Sequence, residues 1–545
     1  MRLNSNKDNE LDEQYGAIVN TIRDSVQIAL EEMQAPSKIT KETGQLLKKR
    51  QELKQAGQMN VEYAELCKLI QKRLMVDLNN WQLSIVRSAI ENNRGLHKVC
   101  QQLLTGTHSM IAVQLADGCV KHYHQLLLKE VKQFYNNLYS SIIPVSTSQK
   151  SSDEEPIAPF LDCEVRKALL SMRHGTTPGE DGVMADALKL ASHTLVQPLC
   201  KLSNNCISSN RIPTGFANSN TILLFKKGDP NLVANYRPIS LLSTIYKTFT
   251  RVLTNRLESY LEDPQPVEQA GFRRGFSTAD HIQTLNELAE KCDEFHLPLF
   301  MLFIDFEKAY DSIEYGALYE ALRRQSIPEQ AIRLLQTIYE NGCTTIHVRF
   351  DKMEINVCRG VRQGDTISPK LFSACLQLAF VRVNWQGKGI NINGQHLNHL
   401  RFANDIVLIL HNYNQLQKMA KDLQRQAKAT GLKINVNKSK LVTNQSTDQR
   451  PSFIVAGQQV EQVSEFVYLG QMIGDSTKRQ KEIGRRVTAR LRSYFKYKMI
   501  YTSKRTPIFL KRRLFNSCVL PTMLYGAKTW SLTKREENWL AVAQR

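Results

Sequence analysis

Two aspartates in this chain follow apolar runs in a way that could support chemistry. Asp305 closes the run LFMLFI (Leu299–Ile304), and much further along Asn404 and Asp405 sit between two apolar arms in LRFANDIVLIL, Leu400–Leu410. A single acid at a strand end is ordinarily solvated and idle. Two on strands able to share one sheet carry another meaning, because Mg²⁺ is held by one or two carboxylates plus substrate phosphates. Two-metal phosphoryl transfer requires carboxylates from separate strands converging on ions about 3.5–4 Å apart. The pair points to that chemistry, provided folding brings the side chains face to face.

The surrounding pattern supplies elements to carry them. Leu299–Ile304 predicts a buried strand, and the two arms around Asn404-Asp405 predict a hairpin. Thr221–Phe225 (TILLF) predicts a short strand running into the basic turn Lys226-Lys227-Gly228-Asp229-Pro230. Helices are expected over Glu164–Met172, stopped by the turn-rich HGTTPGEDG, over Ile239–Leu257 and over Ile313–Arg324. Residues 1 to about 140 read as polar and helical, with Lys41–Lys54 and Val61–Leu78 near helical spacing. The stretch VSTSQKSSDEEPIAP (Val145–Pro159) has linker composition and marks a boundary.

The chain has 545 residues, of which 42% are hydrophobic and 23% charged, so wholesale disorder is excluded. No apolar stretch approaches the ~20 residues of a membrane helix, and the opening MRLNSNKDNELDEQ lacks the pattern of a secretory signal. The expectation is a nuclear or cytoplasmic protein, not secreted and without a membrane partner. Lys and Arg number 72 against 52 Asp and Glu, a formal charge of +20, which favours a polyanionic partner. The excess is concentrated: Lys478–Arg513 holds one acid, Glu482, among many cations, with Tyr494, Phe495, Tyr497 and Tyr501 between them. Cations interleaved with aromatic faces suit phosphates and bases. The eleven cysteines form no CxxC pair, so neither a disulfide framework nor a zinc ribbon is indicated.

These residues fall into motifs that resemble a known family. Asp305-Phe306-Glu307-Lys308-Ala309-Tyr310-Asp311 is similar to the first palm motif of reverse transcriptases of non-LTR (LINE-type, RTE-like) retrotransposons. Gly360-Val361-Arg362-Gln363-Gly364-Asp365 resembles their second palm motif and Phe402-Ala403-Asn404-Asp405 their third. Upstream, Tyr236-Arg237-Pro238-Ile239-Ser240-Leu241 and Gln269-Ala270-Gly271-Phe272-Arg273 resemble finger motifs, with Thr177-Pro178-Gly179-Glu180-Asp181-Gly182 leading in. Downstream, Gly431–Lys438, Tyr468-Leu469-Gly470 and Ser517–Pro521 with Leu524-Tyr525-Gly526 continue the series. Each motif alone is weak; their shared order, from about Glu164 to Trp530, carries the resemblance.

The resemblance implies an α+β, right-hand polymerase fold with an antiparallel palm sheet, helical fingers and a helical thumb, preceded by a helical N-terminal extension. The expected division is 1–144 extension, 145–160 linker, 161–298 fingers, 299–472 palm and 473–545 a basic, truncated thumb. The implied activity is RNA-directed DNA polymerisation, extending a DNA primer on an RNA template with deoxynucleoside triphosphates and two Mg²⁺ ions, Mn²⁺ substituting. Asp305, Asp405 and Asn404 would be the catalytic and metal-binding set. Lys226 or Lys227 with Arg237 would grip the triphosphate, as a planar guanidinium suits phosphate oxygens. Phe306 would adjoin the nucleotide, Tyr310 would lie under its sugar, Gln363 and Gly364 would lie against the nascent base pair, and Lys438 would protonate pyrophosphate. Arg485, Arg486, Arg490, Arg492, Lys496 and Lys498 would hold the nucleic-acid backbone.

Asn404 departs from the family, which has a second aspartate there. Asn keeps a carbonyl oxygen but loses the charge, so impaired catalysis is expected. Residues 1–150 lack the motifs of the endonuclease that related elements encode, which leaves that activity to be supplied elsewhere, and the chain ends soon after the thumb motif. A catalytically silent nucleic-acid-binding protein derived from such an element is the alternative. An intron-encoded maturase-type polymerase shares the palm but would want a further domain after the thumb.

Overall fold

The computed structural model describes residues 2–32, 38–55, 61–91, 110, 112–114, 118–141, 143, 156–349, 351–445, 452–474, 479–504 and 506–544. They form two compact units, one of residues 1–28 and 108–476, the other of residues 29–107 and 477–545. This division cuts across the linear boundaries expected above. The helix Val61–Glu91 and the C-terminal segment share one core, in which Val86 and Ala89 pack with Tyr497, Leu510, Leu514 and Val519. Apolar faces distant in sequence complete each other there, so residues 1–144 do not fold as one extension. Most of the expected linker lies outside the described residues.

In the first unit, the strands that build the site are β1 (Asn218–Phe225), β2 (Tyr236–Leu241), β3 (Phe300–Ile304), β4 (Cys343–Val348), β5 (Asp351–Asn356), β6 (His399–Phe402), β7 (Asp405–Leu410), β8 (Lys440–Thr443), β9 (Glu461–Val463), β10 (Glu465–Tyr468) and β11 (Gln471–Gly474). A five-stranded sheet runs β6-β7-β3-β8-β9 and a four-stranded sheet β2-β1-β4-β5. In the larger sheet β6, β7, β3 and β8 pair antiparallel, as expected of a palm, while β8 and β9 at the edge are parallel.

β3 is buried along its whole length because both faces are covered. Phe300, Leu302 and Ile304 enter the main core, whereas Met301 and Phe303 enter a second core on the other face. β7 divides the same way, with Ile406, Leu408 and Leu410 on one side and Val407 and Ile409 on the other. This two-sided burial is why both strands read as unbroken apolar runs.

Two expected elements differ. Ile239–Leu257 is not one helix: β2 runs to Leu241 and a helix spans Thr244–Arg256, capped by Ser243, whose hydroxyl accepts the Tyr246 N–H at 3.3 Å. β2 is an edge strand, which tolerates Pro238. Ile313–Arg324 is likewise interrupted, a short helix Ala309–Ser312 preceding Tyr315–Arg324, with Ile313 and Glu314 extended between them.

The N-terminal helix Arg2–Glu32 sends Leu11, Val19 and Ile22 into the main core of the first unit. Its Tyr15 hydroxyl lies 2.9 Å from an Asp181 carboxylate oxygen and 3.2 Å from the Ser243 hydroxyl. Arg23 donates to the Asp181 carbonyl at 2.6 Å, so this helix clasps the loop Thr177–Gly182.

Candidate active site

The register of β7 on β3 pairs Ile406 with Ile304, so the next position sets Asp405 opposite Asp305. By strand alternation both continue the face that carries Phe303 and Val407. Asp305 is held on its other side by the segment leading into β8: its backbone N–H donates to the Ser439 hydroxyl at 3.3 Å, and its carbonyl accepts the Asn435 N–H at 2.8 Å. Asp405 opens to solvent at the hairpin, yet surrounding protein displaces much of its water. That desolvation, and then the facing Asp305 carboxylate, raise its pKa, with Lys226 pulling it down. Two acids that share no chain neighbourhood are therefore electrostatic neighbours.

Asn404 sits in the two-residue turn between Phe402 and Asp405, where Ala403 has φ +56°. A positive φ at the first turn position alone is the type II′ pattern. The turn is tied from outside: the Gln269 side-chain oxygen accepts the N–H of Ala403 at 3.1 Å and that of Gly271 at 2.9 Å. Gly271 lies so close that a Cβ on it would meet the Ala403 nitrogen at 2.2 Å, and only glycine permits this approach.

Beside these acids lies a cavity of about 460 Å³ whose wall includes Asp305 and Asn404. Lys226, Lys227 and Arg237 border it from the β1–β2 hairpin, and Lys438 borders it from the segment before β8. Lys438 Nζ is 3.5 Å from an Asp305 carboxylate oxygen. The Lys226 pKa is lowered, first by desolvation and then by Arg237 and Lys438, with Asp305 opposing. Like charges crowded in this way are relieved by an anion with several oxygens.

The remaining wall is built by two motifs stitched together. Gly360 and Val361 donate to the carbonyls of Ile313 and Tyr310, each at 2.7 Å, and a Cβ on Gly360 would collide with the Asp311 backbone. Gly364 (φ +123°) lies against β2, where a Cβ would stand 2.7 Å from the Ser240 carbonyl oxygen. Gln363 donates its side-chain N–H to Asp311 at 3.0 Å. Tyr310 is stacked on Phe372, ring centroids 4.6 Å apart and planes 4° from parallel, which holds its ring rigidly at the cavity.

Some expected residues are corrected. Phe306 borders the cavity, but its ring is buried in the main core, so only its backbone is left to face a ligand. Arg486 is buried, donates to Glu482 at 2.7 Å and lies over the Tyr525 ring; Arg485 is also paired with Glu482, at 2.8 Å. Both neutralise an acid of their own helix (Arg479–Lys496). Arg490 is half-buried over Phe515, whereas Arg492, Lys496 and Lys498 are exposed.

Two charged residues of the first palm motif join the site although sequence reasoning missed them. Lys308 and Asp311 both line the cavity. Lys308 reaches the Tyr236 carbonyl at 3.3 Å and lies over the Phe134 ring; desolvation lowers its pKa, and Asp311 opposes that. Asp311 is fully enclosed, and burial pushes its pKa up to about 7 against Lys308, Gln363 and Arg237. The sequence offered no signal that singles these two out, since four of the seven residues from Asp305 to Asp311 are charged.

The donor set fits a hard divalent cation: two facing carboxylates, an amide oxygen on Asn404 and backbone carbonyls. Among the described residues no three acidic, His or Cys side chains gather at one point. No described helix is long and apolar enough to cross a membrane.

Residues 225–473, which carry the facing acids and the cationic rim, match the family described as reverse transcriptase (RNA-dependent DNA polymerase). This part of the chain, an α+β architecture, is similar to reverse transcriptase domains of the non-LTR retrotransposon kind. The transposon TX1 149 kDa protein of Xenopus laevis is 27% identical over 340 residues, 59% of this chain and 26% of that protein. The Pol polyprotein of a type-1 retrotransposable element R2 of Nasonia vitripennis is 25% identical over 360 residues, 65% of this chain and 32% of its own. Among solved structures, apo telomerase from Candida Tropicalis aligns with 60% of this chain and 62% of its own, at 15% identity and a TM-score of 0.36. The chain spans about a quarter to a third of the length of these curated relatives.

Proposed function

We propose that this chain is an RNA-directed DNA polymerase that extends a DNA primer on an RNA template, weakened by Asn404. The observation that carries the reading is Asp405 set opposite Asp305 beside a cavity rimmed by Lys226, Arg237 and Lys438. Asp305, Asp405, the Asn404 amide oxygen and the Phe306 backbone would hold a pair of Mg²⁺ ions, with Mn²⁺ able to substitute. When bound, such ions polarise a phosphoryl oxygen and neutralise charge developing on it. Arg237 and Lys226 grip the triphosphate of a deoxynucleotide, and Tyr310 lies under its sugar and excludes a 2′-hydroxyl by bulk. Gln363, its amide oriented by Asp311, faces the nascent base pair. Lys438 is within reach of Asp305 and of the same rim, which suits a proton donor to the leaving pyrophosphate.

The charge missing at Asn404 lowers affinity for the ions. Each 1.4 kcal/mol is about tenfold in rate, so a deficit of a few kcal/mol corresponds to about a hundredfold or more. Primer extension with the whole chain tests this, in Mg²⁺ and in Mn²⁺. Weak incorporation is expected, a gain of that size in Asn404→Asp, and none in Asp305→Ala. Absence of incorporation by Asn404→Asp in either metal, with primer–template still bound, overturns the polymerase reading. That outcome selects a second reading, favoured by the neutral Asn404 in the cavity wall: a nucleic-acid-binding protein without catalysis. Under either reading the setting is nuclear or cytoplasmic.

A further inference from the structure

Phe272 has φ +63°, a conformation rarely adopted by a bulky side chain. Its neighbours enforce it. Gly271 is pressed against the Ala403 backbone, and Arg273 donates to the carbonyls of Pro266 and Gln269 and pairs with Glu262 at 3.0 Å. Strain that the surroundings over-determine is commonest where a side chain is aimed at a ligand. Here it aims a large apolar ring outward: Phe272 is 47% exposed and forms part of the cavity wall. It meets Tyr310 edge-on, ring centroids 6.4 Å apart, and Tyr310 in turn stacks on Phe372.

We propose that Phe272 is the stacking platform for the base of the incoming nucleotide. This rests on the polymerase reading, in which Tyr310 underlies the sugar. A base is attached directly to that sugar, and an aromatic ring one ring-diameter beyond Tyr310 meets its face. Stacking needs no pairing information, since every base has a π-face, and alanine substitution of such a platform costs about 1–3 kcal/mol per base. Phe272 therefore contributes affinity for any of the four nucleotides, while the template selects among them. The same loop carries the tie to the Asn404 turn, so base stacking and the metal-facing hairpin share one anchor.

The test measures the affinity of the whole chain for the next complementary deoxynucleotide on an RNA template with a dideoxy-terminated primer. Phe272→Ala and Phe272→Leu should each weaken nucleotide binding about tenfold, and Phe272→Trp should restore it. Primer–template affinity and melting temperature should be unchanged in all three. 5-Nitroindole deoxynucleoside triphosphate, with a broad π-face and no pairing groups, should lose at least as much as the natural nucleotide. Unchanged nucleotide affinity in the Ala and Leu variants overturns the assignment. Loss of primer–template binding or of stability in the Ala and Leu variants, not rescued by Trp, also overturns it, making the ring a packing element. A native chain that holds primer–template but no nucleotide instead overturns the polymerase reading, and the assignment falls with it.

Discussion

The side-chain oxygen of Gln269 accepts the backbone N–H of Ala403, binding the loop before the long helix Thr278–Glu294 to the turn that carries Asn404 and Asp405. Gln269 is completely buried, so the donors it satisfies have no water to replace it. Gln269→Leu should cost about 1–3 kcal/mol for each N–H left unpaired. Urea or thermal melts should show that loss together with reduced primer extension. Full stability in that variant would mean the turn holds itself. Gly271→Ala should be at least as severe, because its new Cβ meets backbone that cannot step aside.

Asp311 should make stability depend on pH in one window. Burial raises its folded pKa from 3.8 to about 7, so between those values the native state holds a proton that the unfolded state has released. Its contribution is therefore most favourable below about pH 4 and is lost as pH rises through 7. Asp311→Asn removes the penalty. The stability of the variant relative to the native chain should climb between pH 5 and pH 8, by a few kcal/mol at about 1.4 kcal/mol per pKa unit. A gap that stays flat across that range would refute the buried-acid account.

Tyr310 is held by its stack on Phe372 rather than by its hydroxyl. Tyr310→Ala should admit ribonucleotides, lowering discrimination by about tenfold or more, ~1.4 kcal/mol. Tyr310→Phe should leave it intact. Incorporation ratios for deoxy- and ribonucleotides on one template decide between bulk and hydrogen bonding.

The cations of the second unit should separate into two kinds. Charge reversal at Arg492, Lys496 or Lys498, which are exposed, should weaken RNA binding and reduce the salt slope by about one per lost phosphate contact. Arg486→Ala should instead remove one of the two guanidinium groups that neutralise the buried Glu482 carboxylate and lower the melting temperature. Equal effects of both kinds on the salt slope would contradict this division.

Much of the site was legible beforehand because it rests on local pattern. Runs buried on both faces announce β3 and β7, and an apolar–turn–apolar signature announces the hairpin at Asn404. Asp305 closes one such run, whereas Tyr310, Gln363 and Lys438 were expected from the family resemblance alone; all four border one cavity. Local pattern misled where a helix-like spacing crossed a strand, at Ile239–Leu241, and where an intrahelical acid claimed a cation, at Arg485 and Arg486. It was silent on Asp311 and Phe272, whose character comes from burial and from an imposed backbone angle.

What the sequence by itself determined is the order of strands, turns and charged residues, since each follows from side-chain alternation and turn chemistry over a few neighbours. The tertiary structure alone decided which acids confront each other and which loop braces their turn. Gln269 and Ala403 are 134 positions apart, and Asp305 meets Asp405 only through the register of β7 on β3. Such pairings are chosen when whole faces bury together, and that choice belongs to the assembled core rather than to any one segment of chain.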